Sequence, residues 1–183
     1  MNRFRRKSGL AGLTVTLLAS ACQSAPPAPP AASATSPEGC TIDFPADAPL
    51  LALAATEAPA QTDDRKGQPL RFATSIAVHR QLEDAGAWGE FSDGWSSLYL
   101  RVASPGAKSL SLHLAQLSLP ARAQVWFCSA DNRVRQGPYR EAVSGELWTP
   151  VVPGSEARIE VQVPTAAKRE LRAQLAEVFG AYR

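Results

Sequence analysis

WSSLYLRVASPGAKSLSLHLA, residues 95–115, is the stretch on which the fold turns. Its first arm sets Leu98, Leu100 and Val102 against Ser97, Tyr99 and Arg101; its second sets Leu110, Leu112 and Leu114 against Ser109, Ser111 and His113. Successive side chains of a strand point to opposite faces, so a period of two predicts two half-buried β-strands, where a helix would need apolar positions three and four apart. Between the arms, Ser104-Pro105-Gly106 joins a preset φ to a residue that tolerates positive φ, which is turn chemistry.

The same alternation recurs on both sides. Leu70, Phe72 and Ser75 to Val78 begin an earlier strand; Val125 and Phe127 alternate with Trp126 and Cys128; Ile159, Val161 and Val163 alternate with Arg158, Glu160 and Gln162. Leu147 to Val152 reads as a strand interrupted by Pro150, which belongs at an edge or bulge because proline cannot donate to a ladder. Asp93-Gly94, Asp131-Asn132, Gly137-Pro138 and Pro153-Gly154 are the expected turns. About seven or eight short strands with one polar face each predict an all-β fold, an antiparallel β-sandwich over residues 67–183. The last segment, 165–183, spaces Leu171, Leu175, Val178, Phe179 and Tyr182 as a helix would.

Upstream of the sandwich the composition changes twice. Residues 1–21 combine Arg3, Arg5, Arg6 and Lys7 with an apolar run from Leu10 to Leu18 and the small residues Ala19-Ser20-Ala21, the pattern of a secretory signal. The run is too short to span a bilayer. Small residues before Cys22 resemble a bacterial lipobox, with Ala19 standing where leucine is usual; lipidation of Cys22, with Gln23 after it, predicts an outer-membrane lipoprotein, and cleavage after Ala21 would instead give a soluble periplasmic or secreted protein. Residues 22–66 are expected to be a disordered Pro/Ala-rich tether: from Gln23 to Lys66 there are eight Pro and 12 Ala, with Phe44 the sole aromatic, and such a stretch buries too little apolar surface to offset ordering. Leu50 to Ala58 is the part able to form a short helix docked on the domain. Cys40 and Cys128 remain, and spacing leaves two readings: a disulfide pinning the tether to the domain, or two free thiols.

Charge and motif content narrow the function. Setting aside the four basic residues of the leader leaves 15 basic against 17 acidic, so no basic face supports a nucleic-acid partner. The candidate bases His79 and His113 stand near no Gly-x-Ser-x-Gly element, and a thiol dyad with Cys128 competes with the disulfide. No short His/Cys spacing suits a metal and no glycine-rich loop suits a phosphate, so no catalytic residue, metal or cofactor is expected, and the chain reads as a non-enzyme. Trp88, Trp95 and Trp148, with Trp126, are either core or a recognition surface, since an indole offers large area and a stacking face.

A family resemblance rests on Ser104-Pro105-Gly106-Ala107-Lys108-Ser109-Leu110, Gly137-Pro138-Tyr139, and Leu147-Trp148-Thr149-Pro150-Val151-Val152-Pro153-Gly154. In order and spacing these resemble the N-terminal pro-region of secreted bacterial trypsin-like serine proteases of the lysyl-endopeptidase kind. The resemblance implies a β-rich scaffold from about Leu70 onward, with Leu147 to Gly154 and Ile159 to Val163 structural, and it implies a final strand over Leu171 to Val178. In the family a catalytic domain follows the pro-region; here the sequence ends at Phe179-Gly180-Ala181-Tyr182-Arg183, so the catalytic half is read as absent. The expected function is a non-catalytic, lipid-anchored envelope sandwich that binds a protein such as a secreted serine protease. The alternatives are a glycan-binding envelope module using the tryptophans and a truncated relic of a serine endopeptidase.

Overall fold

A computed structural model describes residues 37–41, 44–58, 71–90 and 93–183. Among these, strands pack as two sheets with one apolar core between them. The elements are β1 (Leu50–Ala52), β2 (Ala73–Gln81), the single-turn helix α1 (Leu82–Ala85), β3 (Ala87–Glu90), β4 (Trp95–Ala103), β5 (Ser109–Ser118), β6 (Gln124–Ser129), β7 (Arg135–Tyr139), β8 (Leu147–Trp148), β9 (Val152–Pro153), β10 (Glu156–Pro164), a 3-10 turn (Thr165–Glu170) and β11 (Arg172–Ala181). The first sheet runs β1-β4-β10-β6-β7, with β3 sharing the β1 edge of β4; the second runs β2-β11-β5-β8, with β9 beside β8 on the same edge of β5.

The alternation read from residues 95–115 sets both inner faces. Leu100 of β4 lies opposite Ile159 of β10, and Ile159 lies opposite Phe127 of β6; Leu98, Val161 and Val125 form the next row. From the other sheet, Leu110, Leu112 and Leu114 of β5 meet Leu175 and Val178 of β11, all essentially inaccessible. Each such side chain contributes about 1.5–3 kcal/mol by leaving water, so register is strongly specified: a one-residue slip in β4 or β10 would bring Glu160, Gln162 and Arg101 into this layer.

Pro150 falls between β8 and β9, at the edge of the second sheet. The ladder is bridged there by its neighbour: the Thr149 N–H donates to Leu112 O (3.0 Å) and the Leu112 N–H donates to Thr149 Oγ1 (2.9 Å). A side-chain hydroxyl thus takes the place of a backbone acceptor where the strand is broken.

Three expectations need correction. Residues 172–181 form the final strand that the family resemblance implies and not the helix that their spacing suggests; β11 is an interior strand of its sheet, with a bulge between Leu175 and Glu177. That extra residue turns a two-residue period into a three-residue step, so the inward positions 171, 173, 175 and 178 mimic helical spacing. Gly137-Pro138 is not a hairpin turn but lies within β7. Gly137 has φ +128° and a side chain there would collide with Val125 O, which accounts for glycine at a strand position.

The third correction concerns the tether. Its described part, 37–41 and 44–58, is packed on the sandwich, and Leu50–Ala52 is a strand rather than part of a helix. β1 runs parallel to β4, with the Arg101 N–H donating to Pro49 O (2.8 Å), the Leu53 N–H to Ala103 O (2.8 Å) and the Thr56 N–H to Pro105 O (2.7 Å). Cys40 and Cys128 are joined by a disulfide, 88 positions apart in sequence and both buried. Phe44 meets Tyr99 edge-to-face at 5.0 Å, and with Ala48 they make a second small cluster on the outer face of the first sheet. A Pro/Ala-rich composition has few anchors to show, but these three backbone hydrogen bonds, one disulfide and one aromatic contact hold it. The leader, Cys22, the upstream part of the tether and Leu70 lie outside the described residues.

Candidate protein-binding face

The two outer faces of the sandwich differ. On the first sheet, residues 37–41 and 44–48 lie across β4, β10 and β6 and bury polar side chains beneath them. Glu160 of β10 is 3% exposed. Its Oε2 accepts from the Cys40 N–H (2.6 Å), and its Oε1 accepts from Ser97 Oγ (3.2 Å) and Gln162 Nε2 (2.6 Å). Gln162 in turn accepts from Gln124 Nε2, which also donates to Pro37 O (2.9 Å). Burial pushes the Glu160 carboxyl above the ordinary carboxylate range, and the three donors pull it partly back. Arg158 lies over the Phe44 ring at 4.9 Å and Asn132 Nδ2 donates to Thr41 O (2.9 Å), fastening the segment at its middle. This face is occupied by the chain's own residues.

The outer face of the second sheet carries no such cover among the described residues. One rung reads Ala77, Glu177, His113 and Trp148 across β2, β11, β5 and β8; the next reads Ser75, Phe179 and Ser111. Trp148 is 58% exposed. Its ring stacks on His113, centroids 3.8 Å apart and 9° from parallel, and leans on Phe179 at 5.7 Å. His113 is bracketed by carboxylates: Nε2 contacts Glu146, while Nδ1 lies 3.4 Å from Glu177 Oε2 without a hydrogen bond. Glu177 also accepts from Ser75 Oγ (2.8 Å). The indole is therefore held in one orientation with its ring accessible, and with two carboxylates nearby. Val151, 55% exposed, stands in the loop between β8 and β9.

The tryptophans singled out from sequence part company. Trp148 lies on the open face. Trp95 is 1% exposed, with the Arg122 guanidinium 5.2 Å from its ring centroid, so it cannot serve as a contact platform. Trp88 is half-buried against the core, with Lys168 Nζ 4.6 Å over its ring. Trp126 lies against Gly39, whose missing side chain makes room for the indole. His79 is exposed on β2, and His113 has Glu146, Glu177 and Trp148 as its neighbours rather than a nucleophile. Cys128 is committed to the disulfide and Cys40 with it. Among the described residues no group of three His, Cys, Asp or Glu is placed to hold a metal ion. Glu146, Glu177 and Phe179 were not anticipated as members of this face; the outward parity of Glu177 and Phe179 becomes readable only once the bulge before Glu177 is known.

The fold is thus a β-sandwich with one outer face strapped by its own N-terminal segment and, among the described residues, the other open. The chain belongs to the lysyl endopeptidase N-terminal domain family, whose model matches residues 45–176. The match begins inside the strap, five residues after Cys40, and runs into β11. No solved structure matches the chain.

Proposed function

We propose that this protein is a non-catalytic, lipid-anchored envelope module that binds a serine endopeptidase of the lysyl-endopeptidase kind through the outer face of its second sheet. The observation that carries the reading is the asymmetry of the two faces in a member of a protease N-terminal domain family. An exposed, pre-oriented indole with half-exposed Phe179 beside it is the sort of anchor that dominates protein interfaces, where aromatic residues are enriched and lose little entropy on binding. Anchoring is supported by the basic leader, the apolar run and the small residues before Cys22.

The test is surface plasmon resonance between the full chain and a lysyl endopeptidase whose nucleophilic serine is replaced by alanine. Saturable binding that weakens by about tenfold or more in Trp148→Ala supports the proposal, since a hot-spot aromatic is worth about 2 kcal/mol. Absence of binding by the wild-type chain removes it. Metabolic labelling with palmitate, and its loss in Cys22→Ser, tests the anchor. The accessible Trp148 ring favours a second reading, a glycan-binding module for envelope polysaccharide; quenching of tryptophan emission by such a polysaccharide, lost in Trp148→Ala, would favour it over the first.

A further inference from the structure

The edges of the two sheets are not equally protected. β7 contains Pro138, β8 and β9 are two-residue pieces separated by Pro150 and followed by Gly154, and β1 and β3 are three and four residues long. Short strands and prolines are how natural sheets blunt their edges. β2 is the exception: nine residues, ATSIAVHRQ, without proline or lysine, paired with β11 on one side and with no strand on the other among the described residues.

The direction of its backbone groups follows from two hydrogen bonds. The Tyr182 N–H donates to Phe72 O (3.0 Å), so Phe72 and Tyr182 form a hydrogen-bonded pair; the Lys108 N–H donates to Ala181 O (2.7 Å), so Ala181 faces away from β2. In an antiparallel ladder hydrogen-bonded and non-bonded pairs alternate. With the register Thr74 to Gly180 and Ile76 to Val178, those two β2 residues direct their backbone at β11, and Ala73, Ser75 and Ala77 direct theirs at the open edge. The outward side chains of these three are small, and those of Ser75 and Ala77 are exposed, so their own side chains do not screen the backbone groups. Ile76 and Val78, facing the core, are only half-buried, which leaves apolar flank for a neighbouring strand to cover. A cleft lined by Glu57, Arg71, Ala73, Thr74, Ser75 and Tyr182 opens beside the start of the edge. At its far end His79, with φ 49°, breaks the extended run.

We infer that β2 accepts an added strand from the bound endopeptidase, an extended segment whose backbone pairs with Ala73, Ser75 and Ala77. The inference rests on the endopeptidase reading above and adds the mode of attachment. A second copy of this chain fits less well. Five residues of regular edge from Ala73 to Ala77, roughly 17 Å at about 3.4 Å per residue, give a second copy little surface to cover beyond the backbone pairing itself, whereas a stable interface buries at least ~1,000 Å². In a twofold dimer each copy could offer only that same edge. An endopeptidase that pairs with β2 can also rest on the adjoining open face, because Phe179 is the register partner of Ser75.

Amide hydrogen exchange of the full chain, alone and with the serine-to-alanine lysyl endopeptidase, tests this directly. In the free protein the Ser75 and Ala77 amides should exchange quickly while those of Thr74 and Ile76 are protected; in the complex Ser75 and Ala77 should slow by about tenfold or more. Ala77→Pro, which removes one outward N–H without touching the β11 ladder, and Ala77→Lys, which blunts the edge from an exposed position, should each weaken binding by about tenfold at unchanged melting temperature. Should Ala77→Pro misfold, Ala77→Lys and the exchange data carry the test. Protection of Ser75 and Ala77 already present in the free protein, or exchange unchanged in a complex that still forms, would overturn strand addition and leave the endopeptidase partner standing. No complex with the wild-type chain would remove both.

Discussion

Replacing both Cys40 and Cys128 with alanine should cost most of this domain's stability, and the size can be worked from the sequence separation. The bridge closes a loop of 88 positions. Chain-entropy arguments give such a crosslink about 15 cal/mol/K, or about 4.6 kcal/mol at 25 °C, through restriction of the unfolded chain. Both sulfurs are buried, Cys128 at 0% exposure, so truncation adds a smaller packing loss in the folded state. Domains of this size are stable by about 5–15 kcal/mol, so the variant should sit near the margin of folding. Guanidinium unfolding followed by tryptophan emission is the assay, since Trp126 lies against Gly39 beside Cys40 and Trp95 is buried. With an m value of about 4 kcal/mol/M the midpoint should fall by about 1 M, and m itself should rise because the uncrosslinked chain unfolds to a more open state. A loss below about 1.5 kcal/mol with m unchanged would refute the reasoning: it would mean that the strap is held by its other contacts and that the bridge does not constrain the unfolded chain.

Phe127→Ala, at a wholly buried position facing Ile159, should cost about 3–5 kcal/mol, and Trp148→Ala no more than about 1.5 kcal/mol from the lost stack on His113; paired chemical denaturation curves check the contrast. Glu160 has its folded pKa raised by burial, so its contribution to stability is fully present below the unfolded carboxylate pKa and is lost as pH rises through the folded value. Glu160→Gln should therefore gain relative to wild type on going from pH 4 to pH 7, and a stability difference that stays constant across that window in urea titrations would contradict the assignment. Gly180→Ala would drive its new methyl into the Thr56 hydroxyl, which is bonded to Ser104 Oγ (2.7 Å), and should cost about 1–3 kcal/mol while increasing protease cleavage near residue 56.

The parts of the fold legible in the sequence are those where a strand turns apolar residues to one side and polar residues to the other, whether or not the polar side is later covered. β4, β5, β6 and β10 alternate cleanly, and their polar sides mark the outer faces. β11 was obscured by its bulge, because one inserted residue converts the period of two into an apparent helical step. The strap was obscured for a different reason: its attachment depends on a few residues, Cys40, Phe44, Leu51 and Thr56, scattered through a background of proline and alanine, and no periodicity announces a segment held by isolated anchors. Parity explains the tryptophans as well. Trp95 and Trp148 each stand among alternating residues on a strand, and alternation does not say which outward side another segment will cover. The docking of the described N-terminal segment makes one outer face inaccessible, and among the described residues the other is free.

The Cys40–Cys128 bridge also decides how the domain would answer a mechanical pull. Tension applied to the chain upstream of Pro37 enters the fold at Cys40 and crosses at once to β6, whose Cys128 is paired with Arg158 of β10 deep in the first sheet. The polypeptide between the two cysteines, which includes β2, β4 and β5, is shunted out of the line of force. A tug from the N-terminal side is therefore not carried along the backbone of the edge strand β2, which lies inside the bridged loop.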